Sequence, residues 1–203
     1  HKEYRRQRQM CIRDRAPAIQ VTVPDKPPAE LPDQEIDVTA WRQSWRAMKD
    51  THDFFVLLRQ FKVTRTQGLR LAEPTFVQAL PVTCVKDLLE TAASTDTPLM
   101  VFVGNHGMLQ IHSGPIHKVM SVGSWINVMD PRFNLHLQMD SVTQAWLVRK
   151  PTDDGIVTSV ELFNDDGEAI AMFFGERKPG KPELGTWRAL ADDLLARSTA
   201  VEA

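Results

Sequence analysis

A change in hydrophobic period near residue 98 limits the fold of this chain more than any other feature. From there to residue 177, apolar and polar residues alternate over short segments, separated by turns rich in Gly, Pro, Asn and Asp. Seven segments have this pattern: PLMVFVGN, GMLQIHSG, SWINVMD, FNLHLQM, SVTQAWLVRK, GIVTSVELF and EAIAMFFGER. Because the connections are short, we expect consecutive strands to pair antiparallel as a meander.

The residues on either side of this region have a helical period. Trp41, Trp45 and Met48 form one apolar stripe. Thr64 and Gln67 form a capping box that predicts a short helix beginning at the next residue, Arg65. Further helices are predicted over residues 51–61, 83–94 and 182–197. The predicted class is α+β: a large antiparallel sheet of about seven or more strands, with N-terminal helices and a C-terminal helix packed on it.

The first 37 residues are expected to lie outside the folded domain. Residues 1–15 show no apolar period, and the run MCIRDR within them resembles the translation of a sequencing adapter. We interpret this segment as an assembly scar; a genuine basic tail is the alternative. Residues 16–37 contain five prolines and predict an extended linker. Residues 38–203 then form one domain.

Composition without residues 1–15 excludes several classes of protein. The remaining chain has 18 basic and 24 acidic residues, a net charge of −6, which argues against a nucleic-acid surface. Cys84 is its only cysteine, so it predicts no intrachain disulfide, Cys-rich zinc site or covalent haem attachment. No apolar run reaches the roughly 18 residues of a membrane span, and we expect a cytoplasmic protein.

The helix predicted over residues 51–61 has two unlike faces. One is an ordinary core face, formed by Phe54, Leu57, Leu58 and Phe61. The other carries His52, Phe55, Val56 and Arg59. This mixture suits an amphiphilic planar ligand with a nitrogen donor at one end. The alternative is that the face packs on a second layer of protein and His52 bonds to a carbonyl.

Three cations add to this pattern. Lys150 shares a strand face with Trp146, and Arg177 shares one with Phe173. A cation at the end of an apolar strip is expected where a flat apolar ligand ends in carboxylates, although a side chain that only reaches towards water gives the same pattern. Arg65 is predicted in a first helical turn, where the helix dipole does not favour a cation.

Several stretches resemble the HemS/ChuX haem-utilisation family, whose members are often called hemin-degrading factors. They are THDFFVLLRQFKVTRTQGLRL, VFVGNHGMLQIHSGP, DPRFNLHL, AWLVRKPTDDGIVTSVELF and MFFGERKPG. The resemblance runs from about Trp41 to Leu195. Longer members carry two such units in tandem, and this chain resembles the second unit, truncated at its N-terminus, with the proline-rich segment as the linker between units.

The resemblance implies a site for haem b, as cargo or substrate. The histidine of THDFF is the axial iron ligand in this family, which gives that role to His52. The remaining implied site residues are Arg65, Lys150 and Arg177 for the propionates, and Phe55, Val56 and Phe174 as pocket lining. Where some relatives have a tyrosine and a glutamine, this chain has Ala171 and Met172, so the propionate contacts are expected to differ. Relatives also place an arginine of the first unit over the opposite haem face.

The function expected from this resemblance is a haem carrier of bacterial haem uptake. Its expected partners are a haem-import ABC transporter, a haem oxygenase and a second copy of the chain. Two rivals remain: a haem-degrading, oxygenase-like enzyme and a non-catalytic dimeric scaffold. No catalytic residue is assigned, and no P-loop, GxSxG, HExxH or GxGxxG motif supports another enzyme class.

Overall fold

The computed structural model describes residues 29–105, 107–178 and 180–201, with side chains described as far as residue 198. The predicted scar, residues 1–15, and residues 16–28 of the predicted linker lie outside the described residues. The end of the linker packs on the domain, because Ile36 is buried and Asp33 forms an ion pair with Arg70 at 2.9 Å.

The helices are assigned in chain order. The described residues contain α1 (Val38–Arg46), α2 (Asp53–Phe61), α3 (Arg65–Leu71), α4 (Cys84–Ser94) and α5 (Gly185–Val201). They also contain short 3-10 helices at Asp33–Glu35 and Met139–Ser141. No helix in this part of the chain has the length and apolar character needed to span a membrane.

Nine strands divide between two antiparallel sheets in the described ranges. The strands are β1 (Val77–Leu80), β2 (Leu99–Gly104), β3 (Leu109–Gly114), β4 (Val119–Val122), β5 (Trp125–Asp130), β6 (Phe133–Gln138), β7 (Gln144–Thr152), β8 (Gly155–Phe163) and β9 (Ala169–Gly175). The large sheet has the order β1-β7-β8-β9-β2-β3, and the small sheet has the order β4-β5-β6.

The α+β class and the antiparallel pairing are confirmed, but the strands do not form a single meander. Strand β2 pairs with β9, far along the chain, with Val101 opposite Phe173. The strands β1 and β4 were not predicted from the sequence, and each has only four residues. A period of two identifies a strand but not its partner, so the division into two sheets was outside what the pattern could specify.

Both faces of the large sheet pack against other layers, but one of them does so only in part. One face packs on α4, α5 and the small sheet, around residues such as Leu147, Val160 and Phe173. The other face is covered by α1–α3 only over β7 and β8, where Val148 and Phe163 belong to a second core. This second core holds α2 in place, and His52, the predicted iron ligand, lies at the N-terminus of that helix.

Two tryptophans hold α1 in place. The indole Nε1 of Trp41 donates to the carbonyl of Gly68 in α3 at 3.1 Å, and Nε1 of Trp45 donates to the carbonyl of Arg149 in β7 at 3.1 Å. A Cβ at Gly68 would lie 2.8 Å from the Trp41 ring, so α1 and α3 pack too closely for any side chain there. Both tryptophans are fully buried and contact Phe54 of α2.

The start of α3 follows the prediction. Thr64 accepts a hydrogen bond from the backbone N–H of Gln67 at 3.1 Å, as the capping pattern requires. The preceding helix ends at Lys62, which adopts a left-handed φ of 54°. This tight link sets α2 and α3 beside each other and brings Arg65 under the phenylalanines of α2.

Candidate functional site

A buried carboxylate with two cations lies between β8 and the helices. Glu161 of β8 is 0% exposed, and its Oε1 accepts from Lys150 Nζ at 2.7 Å. Its Oε2 accepts from Arg65, with Nε at 2.9 Å and Nη2 at 2.8 Å. The Ser159 hydroxyl donates to Oε1 at 2.9 Å. We call these four residues the Glu161 cluster.

The sheet register explains why Lys150 reaches Glu161. Glu161 of β8 lies opposite Trp146 of β7. Lys150 is also in β7, four residues after Trp146, and its side chain lies on the same face of the sheet. The long side chain of Lys150 spans that distance. The prediction that Lys150 shares a face with Trp146 is therefore confirmed, while the partner at the end of that face is an internal carboxylate.

Aromatic rings close the cluster from the helix side. Lys150 Nζ lies 4.8 Å from the centroid of the Phe54 ring, and Arg65 Cζ lies 5.1 Å from the same centroid. Arg65 Cζ is also 5.6 Å from the Phe55 ring, and its Nη2 donates to the Met172 sulfur at 3.2 Å. Cations over aromatic faces gain electrostatic stabilisation where water is excluded.

The charges in the cluster determine how it titrates. Burial by itself opposes ionisation of Glu161, but Arg65 and Lys150 outweigh it and lower its pKa from 4.5 to about 2. Burial also lowers the pKa of Lys150, and Glu161 acts in the opposite direction. With Glu161 ionised, the two cations and one anion leave a net charge of +1.

His52 lies at the N-terminus of α2 rather than within it, because that helix begins at Asp53. Its side chain is 87% exposed. Its backbone N–H donates to Asp50 Oδ1 at 2.7 Å, and its ring Nδ1 lies 2.5 Å from the same oxygen. The turn is closed by Asp53, whose carboxylate accepts from the backbone N–H of Lys49 at 2.9 Å.

The charges around Asp50 favour its ionised form. The backbone hydrogen bond from His52, then the ring of His52 and the charge of Arg177, lower the pKa of Asp50. An ionised Asp50 keeps the proton of the imidazole on Nδ1 and leaves the Nε2 lone pair directed away from the carboxylate. That geometry suits a neutral nitrogen ligand for a metal.

Arg177 does not lie where alternation along its strand places it. The strand β9 ends at Gly175, so Arg177 lies beyond it, and Phe173 is buried in the core on the α5 side. The prediction that Arg177 shares a ligand face with Phe173 was therefore wrong. The opposite parity of β9 faces the Glu161 cluster, because Met172 on that side contacts Arg65.

An apolar surface extends from the cluster across the uncovered half of the large sheet. Phe174 lies on the Met172 side of β9 and packs on Phe102, with ring centroids 5.0 Å apart. Beyond them, Leu109 and Ile111 of β3 are each 55% exposed. We call this surface, formed by Phe102, Leu109, Ile111, Met172 and Phe174, the open sheet face.

The two outward residues of α2, Phe55 and Val56, are exposed as predicted. Phe55 and Met172 both contact Arg65, so Arg65 joins the outer side of α2 to the open sheet face. An open cleft of about 930 Å³ also adjoins Arg65, lined by residues such as Leu58, Thr64 and Gly167. Among the described residues, neither His52 nor Phe174 lines that cleft.

Several residues of the site were missed by sequence reasoning. Glu161 and Ser159 stand in a strand otherwise read as apolar, and Asp50 precedes the histidine by two residues. Glu161 could have been found as a carboxylate at a position of a long strand that faces into the protein. Asp50 could have been found as a carboxylate two residues from the candidate ligand His52. The described residues contain no group of three or more His, Cys, Asp or Glu side chains suited to a metal ion.

These observations define a class of protein. The fold is an α+β domain with a two-faced sheet, and the candidate site combines an exposed imidazole, an apolar surface and a cationic cluster. Such a combination is typical of a domain that binds an amphiphilic ligand carrying a metal and acidic groups.

Comparisons with known proteins identify the family. Residues 62–194 match the family model described as the haemin-degrading HemS.ChuX domain. The hemin transport protein HmuS of Yersinia pestis is 39% identical over 184 residues, 91% of this chain and 53% of that protein. The chain therefore belongs to the HemS.ChuX family, which confirms the resemblance found in the sequence.

Solved structures agree with this assignment. Holo-PhuS, a heme-binding protein from Pseudomonas aeruginosa, is 44% identical with a TM-score of 0.84, over 92% of this chain and 56% of that one. ChuS, an E. coli heme oxygenase, is 38% identical with a TM-score of 0.76, over 86% of this chain and 52% of that one. The chain thus spans about half the length of these relatives.

The protein called ChuX shows the same fold at lower similarity. It is 15% identical with a TM-score of 0.65, and the match covers 79% of this chain and 98% of that one. The fold therefore also occurs in a chain of about one unit.

Replacing Glu161 should remove a specific part of the pH dependence of stability. Because the folded-state pKa of Glu161 is lowered from 4.5 to about 2, its contribution is complete above pH 4.5 and is lost as the pH falls towards 2. We expect the free energy of unfolding of Glu161→Gln to be about 3 kcal/mol lower than that of the wild type at pH 7. In urea titrations that difference should shrink steadily below pH 4.5. Glu90→Gln, at an exposed position of α4, is the matched control, and a difference for Glu161→Gln that is independent of pH would contradict the assignment.

Proposed function

We propose that this domain binds haem through His52 and carries it as cargo between import and degradation. The observation that supports this most strongly is the His52–Asp50 pair, with Nδ1 of the imidazole 2.5 Å from the carboxylate. A metal-binding histidine in proteins usually donates its second ring N–H to a carboxylate or carbonyl, which fixes the tautomer and raises the basicity of the ligand nitrogen. Asp50 does this for an imidazole that is otherwise open to solvent.

The apolar residues around this histidine fit the body of a porphyrin. Phe55 and Val56 lie on the outer side of α2, and Phe174 lies on the open sheet face. Phe55 and Val56 are each about half exposed, and Phe174 is partly exposed. Burying these side chains under a porphyrin would remove their apolar surface from water. Such burial stabilises a complex by about 25 cal/mol per Å² of apolar surface.

The cations would hold the two carboxylates of haem. The Arg65 side chain is 15% exposed and the Lys150 side chain is 4% exposed, so Arg65 makes the direct contact while Lys150 adds charge from beneath. Arg177 lowers the pKa of Asp50, although less than His52 does, which supports a role for Arg177 as a second cation near the proposed iron ligand. The two sets of charges give the ligand a fixed direction in the site.

The names of the relatives support a role in haem uptake. HmuS and HemS of Yersinia are both hemin transport proteins, and PhuS is a heme-binding protein. We therefore place this domain in the cytoplasm, where it takes haem from an import ABC transporter and delivers it to a haem oxygenase. The chain spans about half the length of these relatives.

Degradation of haem is the second candidate function, because ChuS is a heme oxygenase and is 38% identical to this chain. Cleavage of a porphyrin ring requires a group that steadies bound dioxygen on the face opposite the histidine. Among the described residues, no such group is assigned to that face. A third candidate, a scaffold that does not bind haem, gains support only from the exposed apolar sheet.

Removal of His52 should abolish the specific haem complex. We expect haemin to titrate the wild-type chain with a saturable one-to-one shift of the Soret band, and His52→Ala to lose or blue-shift that band. The matched control is His136→Ala, because His136 is also exposed and its Nδ1 lies 2.7 Å from Asn127 Oδ1. A wild-type Soret band retained by His52→Ala would exclude His52 as the ligand, and one lost in His136→Ala would assign the iron elsewhere.

Carrier and enzyme differ in how the complex reacts with a reductant and oxygen. For a carrier, bleaching of the Soret band should be suppressed by catalase, because free peroxide is then the agent. Absorbance spectra with and without catalase measure this directly. Catalase-resistant formation of a linear tetrapyrrole would instead establish degradation as the activity of this chain.

The open sheet face should cause the chain to self-associate. The strand β3 is an edge of the large sheet, and its residues Leu109 and Ile111 are exposed. We expect a dimer at micromolar concentration in sedimentation velocity, and Ile111→Lys should shift it to monomer. Val122→Lys is the control, because Val122 is equally apolar and 60% exposed but lies on the small sheet. A monomeric wild type would remove the scaffold and dimer proposals together.

A further inference from the structure

Every oxygen of the Glu161 carboxylate is occupied within the protein. Oε1 accepts from Lys150 and Ser159, and Oε2 accepts from Arg65 Nε and lies 2.8 Å from Arg65 Nη2. The carboxylate is completely buried. Glu161 therefore cannot contact a ligand itself and acts only through the two cations that it holds.

These two cations are the ones assigned to the haem carboxylates. A carboxylate of the ligand must share Arg65 and Lys150 with an internal carboxylate that is already bonded at 2.7–2.9 Å. With Glu161 present the cluster has a net charge of +1, so one external carboxylate neutralises it. Without Glu161 the same two cations would have a net charge of +2 and would attract the ligand more strongly.

We propose that Glu161 is an internal competitor for the haem carboxylates, which weakens the hold of the cluster on haem and sets the rate of haem release. This role rests on the proposed function. Glu161 is a positioning residue that keeps Arg65 and Lys150 in place when no haem is bound. When haem is bound, its charge repels the adjacent ligand carboxylate.

The magnitude of this effect follows from Coulomb's law. Two like charges close to each other, at the effective dielectric constant of about 20 that suits protein sites, change a binding constant by a factor of at least ten. Such a factor would separate a carrier that passes on its cargo from a protein that stores it. A carrier gains from fast release, since its affinity is adjusted mainly through the dissociation rate.

The test compares haem release from the wild type and from Glu161→Gln. Each complex is mixed with excess apomyoglobin, and transfer is followed by absorbance for ferric protoporphyrin IX and for its dimethyl ester. We expect Glu161→Gln to release the free acid about tenfold more slowly and to release the ester at the wild-type rate. Glu90→Gln, which removes an exposed carboxylate of α4 outside the cluster, should change both rates by less than about twofold.

A second pair of variants covers the case in which Glu161→Gln does not fold. Lys150→Met removes the buried cation that most needs a counter-charge, and Lys150→Met/Glu161→Gln then removes the carboxylate as well. The double variant should release the free acid more slowly than Lys150→Met alone, again with no difference for the ester.

The outcomes are distinct. Equal or faster release of the free acid on loss of Glu161, or an equal slowing for the ester, would overturn the competitor role while leaving haem binding intact. A wild-type chain that shows no saturable binding of ferric protoporphyrin IX would overturn the proposed function itself, and this role with it.

Discussion

The interaction on which the site depends is the buried contact of Glu161 with Lys150 and Arg65. Two cations inside a domain are costly unless an anion compensates them, and Glu161 does so with bonds of 2.7–2.9 Å under the Phe54 ring. Arg65 is the first residue of α3, whereas Lys150 and Glu161 belong to the sheet strands β7 and β8. The cluster therefore also joins the helical layer to the sheet. The charges that join these two layers are therefore the ones that we propose to bind the ligand.

The helical layer gives His52 its position without burying it. Trp41 and Trp45 fix α1 on α3 and β7, and Phe54 packs on both rings. The helix α2 is thus rigid on its inner side, while its N-terminal residue His52 remains exposed and held by Asp50. His52, at the N-terminus of a helix whose inner side is packed, is exposed to solvent and held by Asp50, which is the arrangement that we propose for the haem ligand.

Much of this arrangement could be predicted from local patterns, and the rest depended on contacts distant in sequence. The two faces of the 51–61 helix, the Thr64 cap and the strands of the sheet follow from periods and caps that involve few residues. Hydrophobic periodicity does not reveal contacts between residues that are distant in sequence. Examples are the pairing of β2 with β9 and the contact of Arg65 with Glu161, which are 96 residues apart. The strand face predicted for Arg177 was wrong for a related reason, since β9 ends two residues before it. Family resemblance supplied the roles of His52, Arg65 and Lys150, which composition alone left open.

The most direct test of this account is a crystal structure of the complete chain with ferric haem. The expected result is iron bonded to Nε2 of His52, with Nδ1 still on Asp50, and one haem carboxylate in contact with Arg65 above an intact Glu161–Lys150 pair. Iron bound to another residue, or haem carboxylates directed away from the Glu161 cluster, would contradict it.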